Sequence, residues 1–211
     1  MRRALGKPHP RVAGIDDGAF ARTDRNAPLA AVVVSVPEHL EAAGLARVTV
    51  DGSDGTRKAI ALLRAVAPPE GLRAVLVDGA VVGGFNVLDL DRIRAAVGVP
   101  VVAVTRRRPD FPRIRAALTK WFPRTAARRW ALLRRHRLFR VATGAEPIWA
   151  ACSGCTQADA AWLVRRTMVR GFWPEPLRLA HLLASAADAG PKGRRRRTLY
   201  GRDAVAPGAG L

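Results

Sequence analysis

Leu29-Ala-Ala-Val-Val-Val-Ser-Val36 decides the fold. Half of these eight residues are valine and none is charged. A β-branched run of this length, apolar on both faces, predicts a strand at the centre of a sheet. To its N-terminal side, Val12-Ala-Gly-Ile15 reads as a short buried strand that runs into Asp16-Asp17-Gly18. To its C-terminal side, Arg47-Val-Thr-Val50 reads as a third strand ending at Asp51-Gly-Ser-Asp54. Strands joined by so short a loop are antiparallel neighbours. Beyond them the pattern changes period. Thr56 to Val66 carries Ile60, Leu63 and Val66 at helical spacing, and Pro68-Pro69 stops it. Leu72 to Val77 is a strand, Leu88 to Val97 a helix and Val99 to Thr105 a strand. Asp110 caps a helix through Trp121, with Pro112 in its first turn. Residues 122–140 are basic and aromatic without a clear period. Ile148 to Cys152 reads as a last strand, and Thr156 to Val169 and Pro176 to Ala187 as amphipathic helices. The order predicts an α/β domain whose mixed sheet has an antiparallel start followed by βαβ units, flanked by helices.

The chain has 211 residues, enough to bury a core without a disulfide or a metal. Its 49% apolar and 25% charged residues exclude a wholly disordered, collagen-like or coiled-coil chain. No apolar run reaches the roughly 18 residues of a membrane span. The basic start has no apolar stretch behind it, so neither a signal peptide nor a membrane is expected and the location predicted is cytoplasmic. Residues 1–10 read as a basic arm, 11–189 as a single domain and 190–211 as a basic, disordered tail. No obligate protein partner is implied.

The net charge is +19, and it is concentrated. Residues 106–140 hold thirteen basic side chains against Asp110 alone, and residues 1–11 and 191–211 add four and five net positive charges, which leaves the rest of the chain close to neutral. A near-neutral body with basic segments is the footprint of a polyanion binder, and arginine pairs bidentately with phosphate. Arg106, Arg107 and Arg108 follow a strand end and are expected on phosphates. Trp121, Trp130 and Arg128 are candidates for stacking on an exposed base or, equally, for packing a basic subdomain.

Seven of the 17 acids fall in three places, Asp16 and Asp17, Asp51 and Asp54, and Asp78, Asp89 and Asp91, and Asp16, Asp51 and Asp78 each directly follow an apolar strand run. If the first, third and fourth strands are neighbours, Asp16, Asp51 or Asp54, and Asp78 converge at one end of the sheet. Clustered carboxylates are unfavourable unless a cation lies between them, and hard oxygen donors suit Mg²⁺ or Mn²⁺. Such a cation facing a phosphate among arginines is the arrangement of phosphodiester hydrolysis. The bland alternative is that each Asp is a turn or cap residue. Cys152-Ser-Gly-Cys155 lacks a second ligand pair for zinc and reads as a strand end before a helix. No phosphate-cradling glycine loop or nucleophile elbow is present. His9, His39 and His136 lie in polar stretches, whereas His181 sits beside an apolar helix face.

Taken together, Gly14-Ile-Asp-Asp-Gly18, Val50-Asp-Gly-Ser-Asp54, Val77-Asp-Gly79 with Gly84-Phe-Asn86, Val104-Thr-Arg-Arg-Arg-Pro-Asp110 and Pro174-Glu-Pro-Leu-Arg-Leu-Ala-His-Leu-Leu-Ala184 resemble the mostly archaeal endonuclease dU family. The resemblance runs from about Arg11 to Ala187. That family is similar to endonuclease V, so the resemblance implies a ribonuclease H-like fold and a Mg²⁺-dependent endonuclease acting near deaminated bases, deoxyuridine or deoxyinosine, in DNA repair. Asp16 and Asp78 match the positions of two catalytic, metal-holding acids. Glu175, Arg178 and His181 match a Pro-Glu-Pro helix, which adds Arg178 to the nucleic-acid contacts and His181 to the catalytic set. The middle acid of endonuclease V, a Glu in a Phe-Arg-Glu segment, has no counterpart, and Asp54 or Asp51 is the expected substitute. Its aromatic wedge is also missing. DNA is expected ahead of RNA. The competing expectation is a non-catalytic nucleic-acid-binding protein that keeps the nuclease fold.

Overall fold

The computed structural model describes residues 9–67, 71–144 and 146–187. Most of the N-terminal arm and all of the tail expected at 190–211 lie outside the described residues. Three strands open the chain: β1 (Arg11–Asp17), β2 (Asn26–Ser35) and β3 (His39–Thr49). Helix α1 (Gly55–Val66) crosses to β4 (Leu72–Asp78), and a two-stranded ribbon, β5 (Val81–Val82) with β6 (Asn86–Val87), follows. Helix α2 (Leu90–Val97) then leads to β7 (Val101–Thr105). A helical hairpin, α3 (Phe111–Trp121) and α4 (Ala126–Arg134), precedes β8 (Phe139–Val141) and β9 (Ile148–Ser153). Helices α5 (Gln157–Arg166) and α6 (Glu175–Ala186) close the described chain.

The main sheet has seven strands in the order β3-β2-β1-β4-β7-β9-β8. β1, β2 and β3 form an antiparallel meander. β4 pairs parallel to β1, and β7 parallel to β4, through helical crossovers. β9 and β8 return antiparallel. This is the predicted mixed sheet with an antiparallel start.

Period-2 alternation divides the sheet into two faces. Ala13, Ile15, Leu29, Val33, Val75 and Val77 pack against α1 and α2. Val12, Ala74, Leu76, Val102 and Val104 pack on the other side with Leu163 of α5 and Leu177 of α6. Both faces of β1, β2 and β4 are therefore covered, which is why these strands are almost unbrokenly apolar.

Three expectations are corrected. The third strand is not a four-residue piece but runs over eleven residues from His39. Residues 122–140, to which no element is assigned from the sequence for want of a period, contain α4 and the start of β8. And the third strand does not neighbour the first. A meander of two tight antiparallel connections places β2 between them, leaving β3 at the edge.

Candidate active site at the carboxyl end of the sheet

The carboxyl ends of β1, β4 and β7 lie side by side. Ile15 is in register with Val77, and Asp78 with Val104, so Asp16 and Asp78 leave adjacent parallel strands at the same level. Gly79 donates its N–H to the Val104 carbonyl at 2.7 Å, which closes the end of the strand pair. Both acids share the even-numbered face of their strands, toward α6.

Helix α6 reaches that face because β1 offers it glycine. A Cβ on Gly14 would lie 2.2 Å from the Pro176 carbonyl oxygen, and one on Gly18 would lie 2.3 Å from that of Ala184. These two close approaches bracket Asp16 on the strand and His181 on the helix. His181 Nδ1 accordingly meets Asp16 Oδ2 at 2.8 Å. With Asp16 ionised, Nδ1 donates, and Nε2 is the ring nitrogen not engaged by Asp16 on a side chain 43% exposed.

The electrostatics are those of crowded anions. Burial raises Asp16 well above the usual carboxylate range, and the neighbouring Asp17 charge adds to it, against an opposing Arg106. Asp78 is likewise raised well above that range, by burial first and then by Asp16 and Asp17, with Arg106 and His181 opposing. Arg106 thus borders the acids as expected. Its guanidinium sits 4.3 Å over the ring of buried Trp173.

Asp17 points to the opposite face. Its Oδ2 accepts the Gly83 N–H at 2.8 Å and so holds the β5–β6 turn against β1. Burial pushes its pKa up to about 6, although that hydrogen bond opposes the rise. Its role is architectural, consistent with the turn acid that the sequence suggests.

The expected third acid is not brought to this pair. Asp54 stands before α1, where Asn86 Nδ2 donates to its Oδ1 at 2.7 Å and the Thr49 N–H and Oγ1 donate at 3.2 Å. Partial burial raises its pKa, but these hydrogen bonds outweigh that and hold it below the usual range. Asp51 adopts φ 56° and accepts the Phe85 N–H at 2.8 Å. Both acids organise the loops at the end of edge strand β3, two strands from Asp16. Asn86 fastens the same loops by accepting the Gly55 N–H at 2.8 Å. Arg129 clamps them from α4, donating to the Asp51 carbonyl at 2.8 Å and to that of Phe85. Asn86 enters the sequence reading only as the end of the Gly84-Phe-Asn86 motif, with no role attached, and Arg129 does not stand out at all. A buried arginine inside a basic run carries no local signal, because only the tertiary contact distinguishes it.

The other arginines divide. Arg107 is exposed, and Arg108 lies 5.3 Å over Trp149. Arg128 is exposed on α4. Arg178 is occupied: its Nε and guanidinium nitrogen reach buried Glu175 at 2.8 and 2.6 Å, so its planar fork is already filled by a carboxylate. Trp130 packs edge-on to Phe111 at 6.0 Å, which is the packing role, while Trp121 is 47% exposed. Cys152, at the end of β9, and Cys155, just before α5, are free thiols at a strand end and a helix start, as read. Among the described residues no three His, Cys, Asp or Glu side chains are arranged to hold a metal ion by themselves. No described helix is long and apolar enough to cross a membrane.

Comparison with known proteins converges on one family. A UPF0215 protein of Thermococcus gammatolerans is 39% identical over 190 residues, covering 87% of this chain and 95% of the relative. A UPF0215 protein of Methanothermobacter thermautotrophicus is 35% identical over 181 residues, covering 85% and 88%. The crystal structure of a protein of unknown function from Archaeoglobus fulgidus superposes with a TM-score of 0.76 at 29% identity, over 85% of this chain and 99% of that one. Endonuclease V of Ciona intestinalis, in complex with a 23mer DNA containing an inosine followed by a ribo-adenosine, gives a TM-score of 0.58 at 16% identity, over 85% of each chain. That likeness shows the fold, which is ribonuclease H-like. Residues 8–188 match the profile of Endonuclease dU, which supports a nuclease-like function, and the chain belongs to that family.

Proposed function

We propose that this protein is a divalent-cation-dependent endonuclease of DNA repair in the cytoplasm, hydrolysing a phosphodiester bond near a deaminated base, deoxyuridine or deoxyinosine, with DNA preferred to RNA. The observation that carries this is the Asp16–Asp78 pair. Two carboxylates lie at one level on adjacent strands, both raised in pKa by burial and Asp78 raised further by Asp16, with a histidine on Asp16 and an arginine alongside. The fold of endonuclease V, seen on inosine-containing DNA, supports the substrate class.

The donor set fits Mg²⁺ or Mn²⁺. Mg²⁺ is commonly held by one or two carboxylates, with waters and substrate phosphate filling the remaining positions, so two acids suffice without a third. Asp16 and Asp78 would hold it. When bound, such a cation neutralises charge on the phosphate and acidifies a water. The chain's own groups do the rest. His181, oriented through Nδ1 by Asp16, can hold or pass a proton at Nε2. Arg106 supplies a planar, permanent cation for a phosphate oxygen beside the acids. Arg107, Arg108 and Arg128 extend the positive surface, while Arg178 serves α6 through Glu175. Asp51 and Asp54 take no chemical part.

The test is a nicking assay on end-labelled single- and double-stranded oligonucleotides carrying deoxyuridine, deoxyinosine or neither, with Mg²⁺, Mn²⁺ or EDTA. Asp78→Ala protein controls for contaminating nuclease. Metal-dependent cuts that vanish in the variant are expected, and the preferred lesion identifies the base. Tight, salt-sensitive binding without a cut in any lane would replace the enzyme with a non-catalytic binder.

A further inference from the structure

Arginines in this protein are kept in two ways. Arg11, Arg135 and Arg178 are paired with carboxylates, which consumes their donors. Another group is parked on aromatic faces. Arg108 lies 5.3 Å over Trp149, Arg115 lies 5.7 Å over Trp130, Arg134 lies 4.4 Å over Phe111, and Lys120 lies 4.9 Å over Trp121. None of these four cations has a carboxylate partner among the described residues, and all are exposed. An aromatic face restrains a cation without neutralising it and leaves the outward N–H donors free.

Their placement follows from the topology. Arg108 follows β7 at the end of the sheet that bears Asp16 and Asp78. The α3–α4 hairpin continues from there and is fixed to the same end. Arg129 of α4 clamps the loops after β3 and β5, and Arg22, in the β1–β2 loop, lies 6.0 Å over Trp121. At 1.5 Å per residue, α3 spans roughly 16 Å from the end of β7, with Arg115 and Lys120 along it and Arg134 of α4 back over Phe111 at its start.

We infer that the aromatic-backed cations Arg108, Arg115, Lys120 and Arg134 form a track for the nucleic-acid backbone flanking the bond to be cut. This rests on the reading of the Asp16–Asp78 end as a nuclease site. The track takes phosphates, not bases. Trp130 is used up by Phe111 and its own cations, so it has no free face on which a base could stack. At one phosphate per 3.4 Å along each strand, the reach corresponds to about five base pairs on one side of the site.

The test measures duplex affinity against salt, in EDTA so that nothing is cut. The track variant is Arg115→Gln with Lys120→Gln and Arg134→Gln. The charge-matched control is Arg57→Gln with Arg64→Gln and Arg92→Gln, on the α1–α2 face. Losing three phosphate contacts should make the log–log salt slope shallower by about 2.7 in the track variant. The control should retain the wild-type slope. A variant with Arg115→Lys and Arg134→Lys and with Lys120 unchanged should keep most of the wild-type slope, because the charge is retained even though the planar fork is not. Trimming about five base pairs from one end of the duplex should weaken the wild type and leave the track variant unaffected. An unchanged slope in the track variant, or an equal fall in the control, overturns the track. The two readings fail separately. A wild type that binds with the track-dependent slope but never nicks keeps the track and loses the nuclease. A wild type that nicks, with a slope indifferent to the track variant, does the reverse.

Discussion

Replacing Asp78 with asparagine should make the metal-free protein more stable while abolishing turnover. Asp16 and Asp78 extend from neighbouring parallel strands at one level. Their side chains start about 5 Å apart, the spacing of adjacent strands. Two unit charges at that distance repel by about 3 kcal/mol at an effective dielectric constant near 20. Arg106 and His181 relieve part of this, since both oppose the upward shift of Asp78. Asparagine keeps the shape and removes the charge, so the net gain should be about 1–3 kcal/mol at pH 8. In a domain of this size each kcal/mol moves the melting temperature by roughly 2–4 °C, which predicts a rise of several degrees.

The pH dependence has a definite sign. Asp16, Asp17 and Asp78 all have folded pKa values above the unfolded value, and that of Asp17 is about 6. Between the unfolded and folded values the native state binds more protons, so stability falls as pH rises through that window. Metal-free wild type should therefore lose stability from pH 5 to pH 8, and Asp78→Asn should lose less. Comparing the two proteins at each pH cancels the general self-repulsion of a chain with net charge +19. Thermal melts followed by circular dichroism, in EDTA and then in millimolar Mg²⁺, measure both effects. Mg²⁺ should stabilise wild type and shift the variant much less, by the mass action of a ligand that binds only the folded state. An Asp78→Asn protein that melts at or below wild type at pH 8 in EDTA would refute the reasoning, because the acids would then not be in repulsive contact.

Three further substitutions probe the scaffold around the pair. Arg129→Met should cost about 2–4 kcal/mol in urea denaturation, because two part-buried carbonyls, of Asp51 and Phe85, lose a charged donor together. Gly14→Ala forces a methyl group against the Pro176 carbonyl, so α6 must shift. Loss of about 2 kcal/mol or more is expected from such overpacking, and nicking should fall with it as His181 leaves Asp16. Asp54→Ala should cost about 1–2 kcal/mol, as lost hydrogen bonds to Asn86 and Thr49 do. Nicking at saturating Mg²⁺ should nonetheless stay within a few-fold of wild type, and a loss as deep as that of Asp78→Ala would return Asp54 to the chemistry.

Much of the fold is legible in the sequence because the strands that are read well are buried on both faces. β2 announces itself through valine, and β1, β4, β7 and β9 through short apolar runs. β3 does not. Glu41-Ala-Ala-Gly-Leu-Ala46 is poor in β-branched and aromatic residues, and its strand state comes from pairing with β2 along nearly its whole length. Only a few of its side chains enter the core, so no hydrophobic period marks them. α4 is hidden for a related reason. Its one buried residue is Arg129, so the contact that fixes the helix is polar and leaves no apolar stripe to detect. Trp173 is equally silent, and the Gly84-Phe-Asn86 motif does not reveal what Asn86 does, since each acts through a neighbour remote in sequence.

The site was readable to the extent that strand order was readable. Asp16, Asp78 and Arg106 follow apolar runs, and the crossovers through α1 and α2 place those runs side by side. Asp51 and Asp54 follow an apolar run too, and the local pattern is the same. What separates them is the meander, which spends two antiparallel turns before the first crossover and leaves β3 at the edge. The tandem Asp16-Asp17 makes the same point within two residues. Period-2 geometry sends adjacent side chains to opposite faces. Asp16 therefore meets His181 and Asp78 under α6, while Asp17 meets the Gly83 N–H under the β5–β6 ribbon. Which of the two is which depends on a register that the dipeptide does not contain. It follows from Gly14: only the even-numbered face lets the backbone of α6 approach β1, so the acid that shares the parity of Gly14 is the one that faces the helix carrying His181.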